Sequence, residues 1–307
     1  MNAVLRPGHV QLRVLDLEES VHFYREVLGL VESGRDAQGR VYMKTWAERD
    51  HSSVIMREAP TPGLDALAFK VRSPAALAQL EASLQAAGVS CTRIAAGDLL
   101  ATGERVQFRL PSGHVIELYA HKDAASTGAA LIDPPLWDAD SEQGIAVQRL
   151  DHCVLYGPAL DEVRDLFTGT LGFFLTERAL AQDGVADFGV WLSTSSRPCD
   201  IVLVRHVDAG KLHHVSFRVG STEQVLKAAD CFSMARMQID AGPFRDPATG
   251  RFSVQAFDPS GIRIEVFFSS HDAYPDQAPI TWRWKKGGAA MTLRDQRTRD
   301  RLFPDLT

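Results

Sequence analysis

The sequence predicts an α+β protein of four βαβββ modules paired into two open-barrel domains. Three observations carry that prediction. The chain repeats itself at long range, each half repeats again at short range, and strand-like and helix-like periodicities recur in one order throughout. The long-range repeat is direct. LPSGHVIELYA (110–120) aligns without a gap on DPSGIRIEVFF (258–268), and LDALAFKV (64–71) aligns on LHHVSFRV (212–219). Nearer the start of each half, GHVQL (8–12) matches DHCVL (151–155) and LGL (28–30) matches LGF (171–173), with an offset five residues smaller.

Within the first half, a strand over 8–14 leads to an amphipathic helix from Asp16 to about Leu28. Leu17, Val21, Tyr24 and Leu28 share one face of it, and Gly29 is placed to end it. RVYMKTW and SSVIMRE read as the strands that follow. Strand LDALAFKV, helix SPAALAQLEASLQAAG and strands RVQFRL and HVIELYA then repeat the order, so the unit is about 55 residues long and occurs four times. The expected division is an N-terminal domain over 1–132, a linker over 133–147 opened by Pro134, Pro135 and an Asp-rich run, a C-terminal domain over 148–270 and an extension over 271–307. Sheets of this order curve around a natural site for a small ligand.

Composition narrows the class. With 45% hydrophobic and 23% charged residues the 307-residue chain has the profile of a soluble globular protein, and a net charge of −6 argues against nucleic acid as its main partner. Four cysteines without CxxC spacing read as reduced thiols. No apolar leader core and no run of membrane-spanning length are present, so the expected location is cytoplasmic. Between Thr281 and Leu302 seven basic residues face two acidic ones. This segment is expected to dock on the acidic body or on a neighbouring subunit.

Duplication supplies an internal control for function. Strand alternation places His214 on a polar face with Ser216 and Arg218, and His213 on an apolar face with Val215, Phe217 and Val219. His152 and Glu265 fall on strands of the same half. Two imidazoles and a carboxylate aimed into one cavity form the facial triad that binds Fe(II) and leaves coordination positions open, and Mn(II) suits the same ligands. The N-terminal half keeps His9 and Glu117 at the positions of His152 and Glu265 but has Ala66 at that of His214. It reads as a copy without metal.

With these residues in place the chain resembles the vicinal oxygen chelate superfamily and, within it, the type I extradiol dioxygenases of the catechol 2,3-dioxygenase kind. RPGHVQLRVLD (6–16), DAQGRVYMKTW (36–46), KLHHVSF (211–217), FDPSGIRIEVF (257–267) and YPDQAPITW (274–282) carry the resemblance over almost the whole chain. It implies His152, His214 and Glu265 as iron ligands, a catechol and O2 as substrates, a 2-hydroxymuconic semialdehyde as product and a homotetramer as assembly. The resemblance also implies two histidines and a tyrosine that handle protons. Here those positions hold Cys199, Asp246 and Gln255. A thiol is a weak donor unless its pKa is lowered, and an amide cannot transfer a proton as a phenol can. His206 and His213 are the candidate substitutes. Two further readings stay open at this point: a metalloenzyme of the same superfamily with other chemistry on a phenolic or hydroquinone substrate, and a non-catalytic binder of metal and phenol.

Overall fold

The computed structural model describes residues 3–124, 143–246, 249–283 and 307. The first module is β1 (Val4–Val14), α1 (Leu17–His22), β2 (Val31–Arg35), β3 (Val41–Lys44) and β4 (Val54–Glu58). The second is β5 (Gly63–Val71), α2 (Pro74–Ala86), β6 (Cys91–Ile94), β7 (Arg105–Arg109) and β8 (Val115–Tyr119). The third is β9 (Arg149–Gly157), α3 (Leu160–Gly169), β10 (Phe174–Leu180), β11 (Asp187–Ser193) and β12 (Ile201–Arg205). The fourth is β13 (Lys211–Arg218), α4 (Thr222–Met234), β14 (Ile239–Arg245), β15 (Phe252–Phe257) and β16 (Arg263–Phe268), and β17 (Ile280–Arg283) follows. The βαβββ order therefore recurs four times, as the repeats require.

Local chemistry explains the helix starts. Asp16 caps α1 by accepting from the Glu19 amide. Ser73 and Ser221, one at each copy of the second helix, accept from Ala76 and Gln224. After α1 the chain widens into a π-helical turn over Phe23–Val27 before Gly29 at φ +82° ends it. A Cβ on Gly29 would stand 2.2 Å from the carbonyl oxygen of Gln143, so the close approach of the inter-half segment also needs glycine there.

Each half forms one mixed, open sheet. The strand orders are β2-β3-β4-β1-β5-β8-β7-β6 and β14-β15-β16-β13-β9-β12-β11-β10-β17. Modules join through the antiparallel pairs β1–β5 and β9–β13 at the sheet centres. One buried core spans both halves, with Phe23 stacked on Phe232 and Phe69 edge-on to Phe167 and Phe173. Each such ring contributes about 1.5–3 kcal/mol by its burial. The PSG turns lock the halves reciprocally. Ser260 Oγ accepts from the Leu15 amide at 2.9 Å and Tyr24 donates to Asp258 at 3.2 Å, while the Gly210 amide donates to the Ser112 carbonyl at 2.8 Å.

The strand pairing corrects one expectation. Leu212 faces Leu155 and His214 faces Val154, which leaves His213 as the extra residue of a bulge. The first half has the same bulge at Asp65, between Leu64 and Ala66. Alternation restarts beyond it, so Leu212, Val215 and Phe217 enter the core and His213 does not. Its ring instead lies nearly parallel to that of Tyr156, at 5.0 Å and 13°. Tyr156 belongs to a separate cluster with Val154, Cys199, Val202 and Val204 on the other face. His213 and His214 thus share a face, and the apolar placement of His213 is wrong.

Ile145 and Val147 at the end of the expected linker are buried and bond the carbonyls of Val27 and Leu28. The rest of it, 133–142, lies outside the described residues. Of the basic segment, β17 pairs with the edge strand β10, and Trp282 Nε1 donates to Glu177 at 2.7 Å. Residues 284–306 are outside the described residues. No helix among the described residues is long and apolar enough to cross a membrane.

Candidate metal centre

Three neighbouring strands, β9, β13 and β16, bring His152, His214 and Glu265 together. One ligand atom from each lies within 4.8 Å of the others, and all three residues are buried. His214 Nε2 stands 3.5 Å and His152 Nε2 3.8 Å from Glu265 Oε2. Ligands of one divalent ion, each at about 2.1 Å from it, stand roughly 3–4 Å apart, so both histidine–glutamate distances already lie in the range of ligands to one metal.

The surroundings prepare the donors. The Asp151 carboxylate accepts from His152 Nδ1 at 3.0 Å, which fixes the tautomer and turns the Nε2 lone pair inward. Burial would raise the Asp151 carboxyl, but hydrogen bonding to His152 and the charges of Arg197 and Arg149 hold it well below the ordinary range. Burial, then the charge of Arg251, push the His152 imidazole down to about 4, so it is neutral near pH 7. Burial would likewise raise the Glu265 carboxyl. Hydrogen bonding from His214 and the charge of Arg251 hold it well below the ordinary carboxylate range. Ser216 Oγ donates to Glu265 Oε2 at 2.6 Å and Gln255 Nε2 to Oε1 at 3.3 Å. The set is therefore two imidazoles and a held carboxylate.

The three positions of the expected proton handlers take different places. Gln255 is at the centre, but its amide is committed to Glu265. Gln107 does the same for Glu117 in the other half, at 2.9 Å, so this glutamine is a duplicated carboxylate holder. Cys199 is fully buried, and burial pushes its thiol up to about 12, so it stays neutral. Asp246 accepts from Thr249 Oγ1 at 2.6 Å in the β14–β15 turn, and its backbone bonds Gly250 and Arg251. Of the two candidate substitutes, His213 contacts the His214 ring at 4.8 Å between centroids, and half-buried His206 tilts against Tyr156 at 6.1 Å.

Sequence reading missed Arg251. Its guanidinium is buried, with Nη1 3.0 Å from His152 Nε2 and Nη2 3.0 Å from Cys199 Sγ. The signal was available, since counting back by twos from Gln255 along β15 reaches Ser253 and then Arg251 on one face.

Residues 64–123 match the family described as Catechol 2,3-dioxygenase-like N-terminal domain, and residues 149–266 match the Glyoxalase/Bleomycin resistance protein/Dioxygenase superfamily. The chain is 44% identical over 307 residues to a metapyrocatechase of Pseudomonas sp. (strain CF600), covering 99% of each protein. It is 27% identical over 286 residues to a manganese-dependent 2,3-dihydroxybiphenyl 1,2-dioxygenase of Geobacillus genomosp. 3, covering 90% of this chain and 89% of that one. Its fold matches the crystal structure of the 2,3-dioxygenase LapB from Pseudomonas sp. KL28 with a TM-score of 0.89 and 54% identity, covering 92% of this chain and 98% of that one.

Proposed function

The chain belongs to the extradiol ring-cleavage dioxygenases of the catechol 2,3-dioxygenase type, and from that premise we propose that it uses Fe(II), held by His152, His214 and Glu265, to open a catechol beside its diol to a 2-hydroxymuconic semialdehyde-type product. The observation that carries this reading is the convergence of the three buried donors, with Asp151 behind His152. The same donors suit Mn(II), and a manganese-dependent relative makes that ion the alternative.

Bound there, the metal would act as template and Lewis acid for the diol and O2. The chain's own residues do the rest. Asp151 keeps the Nε2 lone pair of His152 inward, Ser216 and Gln255 hold the carboxylate of Glu265, and Val154, Tyr156 and Val202 present an apolar wall beside Cys199. The thiol of Cys199, neutral and buried, and the amide of Gln255 supply no acid or base near pH 7. Losing one positioned acid or base costs about 10²–10⁴-fold in rate, so simple catechol is expected to turn over slowly. Replacing Cys199→His, Asp246→His and Gln255→Tyr together is expected to raise that rate. No gain would remove these positions as the cause.

The division into domains over 1–132 and 148–270, a cytoplasmic location and a homotetrameric assembly are part of the same proposal. The four cysteines are free thiols, which supports the location. The decisive experiment loads the protein anaerobically with Fe(II) or Mn(II) and adds catechols and air. Oxygen uptake with a yellow ring-fission product is expected. No uptake across a broad panel of catechols and hydroquinones would sink the proposal.

A further inference from the structure

The candidate centre contains a cation of its own. Arg251 stands just before β15, its guanidinium 5.0 Å above the Phe267 ring and its Nε without a hydrogen-bond partner among the described residues. A guanidinium can only donate, so His152 Nε2 must accept from Nη1 with its lone pair. Asp151 already engages Nδ1 on the far side of the ring, which is the tautomer this requires. The donated hydrogen then lies about 2 Å from Nε2. A divalent cation bound through the same lone pair would lie at about the same distance. The two cannot occupy it together.

The other half also carries cations of the chain beside its histidine and glutamate. Arg105 Nε stands 2.8 Å from Glu117 Oε2, both side chains 2% exposed, and Lys122 Nζ stands 2.9 Å from His9 Nδ1. Arg105 answers the carboxylate, while Lys122 meets the imidazole at Nδ1, the ring nitrogen that corresponds to the one Asp151 holds, and His9 Nε2 faces Glu117. Arg105 aligns with Ser253, so the guanidinium that sits on Glu117 has no counterpart at Glu265, whose oxygens take neutral donors from Ser216 and Gln255. Arg251 supplies its cation to the imidazole. Cys199 makes that possible, because its sulfur accepts from Nη2 and its small side chain leaves the guanidinium room.

We propose that Arg251 is an internal competitor for the metal, occupying the ligating nitrogen of His152 until a divalent ion displaces it, so that this chain binds its metal more weakly than its three ligands alone would. The inference rests on the reading of His152, His214 and Glu265 as ligands. Metal-free protein is titrated with Mn(II), the free ion is followed by electron paramagnetic resonance, and folding is checked by circular dichroism. Arg251→Met is expected to bind Mn(II) about tenfold or more tightly than the parent, the scale of one charge-assisted hydrogen bond. Arg251→Lys, which keeps a charge but loses the fork, should fall between them. If Arg251→Met does not fold, Arg251→Gln carries the same comparison. Equal or weaker affinity in a folded neutral variant overturns the competition while leaving the ligands standing. Failure of parent and variants alike to take up Mn(II) or Fe(II) overturns the ligand assignment and this inference with it.

Discussion

The two halves answer one chemical problem in different ways. Each buries a histidine from its first strand and a glutamate from its last, His9 with Glu117 and His152 with Glu265. A buried carboxylate beside a buried imidazole needs positive charge or strong donors. The N-terminal half meets that need from within, through Arg105 and Lys122, and has Ala66 where a third ligand would stand. The C-terminal half carries His214 there, replaces the arginine by Ser253, and keeps three donor atoms converging. Both halves thus place a cation of the chain here, against the carboxylate in one and against an imidazole in the other, and what separates them is that only the C-terminal half keeps three donor atoms converging.

Substitutions can break or sharpen that contrast. The largest effect is expected from His214→Ala, which makes the C-terminal half resemble its partner. Metal content should fall below one ion per chain and oxygen uptake should drop by more than about 10³-fold, since the triad has lost a ligand and its open geometry. Retained stoichiometric metal in this variant would contradict the assignment. Next, Asp151→Asn should weaken metal binding by about 10–100-fold, the usual result of losing the carboxylate behind a ligating histidine. Equilibrium dialysis reads it directly. The converse change, Ala66→His, should leave the chain at one ion, because the Arg105 guanidinium already lies against Glu117. A second equivalent of metal would mean that the missing imidazole alone had silenced that half.

The smallest effect concerns Lys122, which burial pushes down to about 7 against the opposing pull of Asp50 and Glu48. Its folded pKa lies below its unfolded one, so between about pH 7 and 10 the unfolded chain binds more protons and stability rises with pH. The slope from this one group approaches about 1.4 kcal/mol per pH unit in that window. Urea unfolding at pH 7 and 9 should show the rise in the parent and a smaller one in Lys122→Met. Identical slopes would mean that Lys122 keeps an ordinary pKa in its pocket.

Most of the architecture was readable because duplication writes it twice. Repeats, helix caps at Asp16, Ser73 and Ser221, and the β-branched strands agree with one another, and the four modules appear in the expected order. The convergence of His214 with His152 and Glu265 was readable because Ala66 isolates His214. The placement of His213 was not, because strict alternation assumes a regular ladder. Yet the apolar residues run Leu212, Val215, Phe217, Val219 in one half and Leu64, Leu67, Phe69, Val71 in the other. A gap of three followed by gaps of two, repeated, is how a bulge is written in sequence. Arg251 was hidden for a different reason. Its partners, His152 and Cys199, lie far from it in the chain, and a long charged side chain before a strand reads as solvated until its burial is seen.

The reciprocal serine turns carry a last consequence. Because Ser260 and Asp258 hold the first half, Ser112 holds the second, and the phenylalanine core is shared, the halves are expected to unfold together. Free energy gained by ion uptake at one end is therefore spread over the whole molecule. An ion at tenfold its dissociation constant adds about 1.4 kcal/mol to global stability. Amides of β5 and β8, which touch no ligand, would then exchange with solvent more slowly in the loaded protein, so that the silent copy reports on the occupancy of its twin.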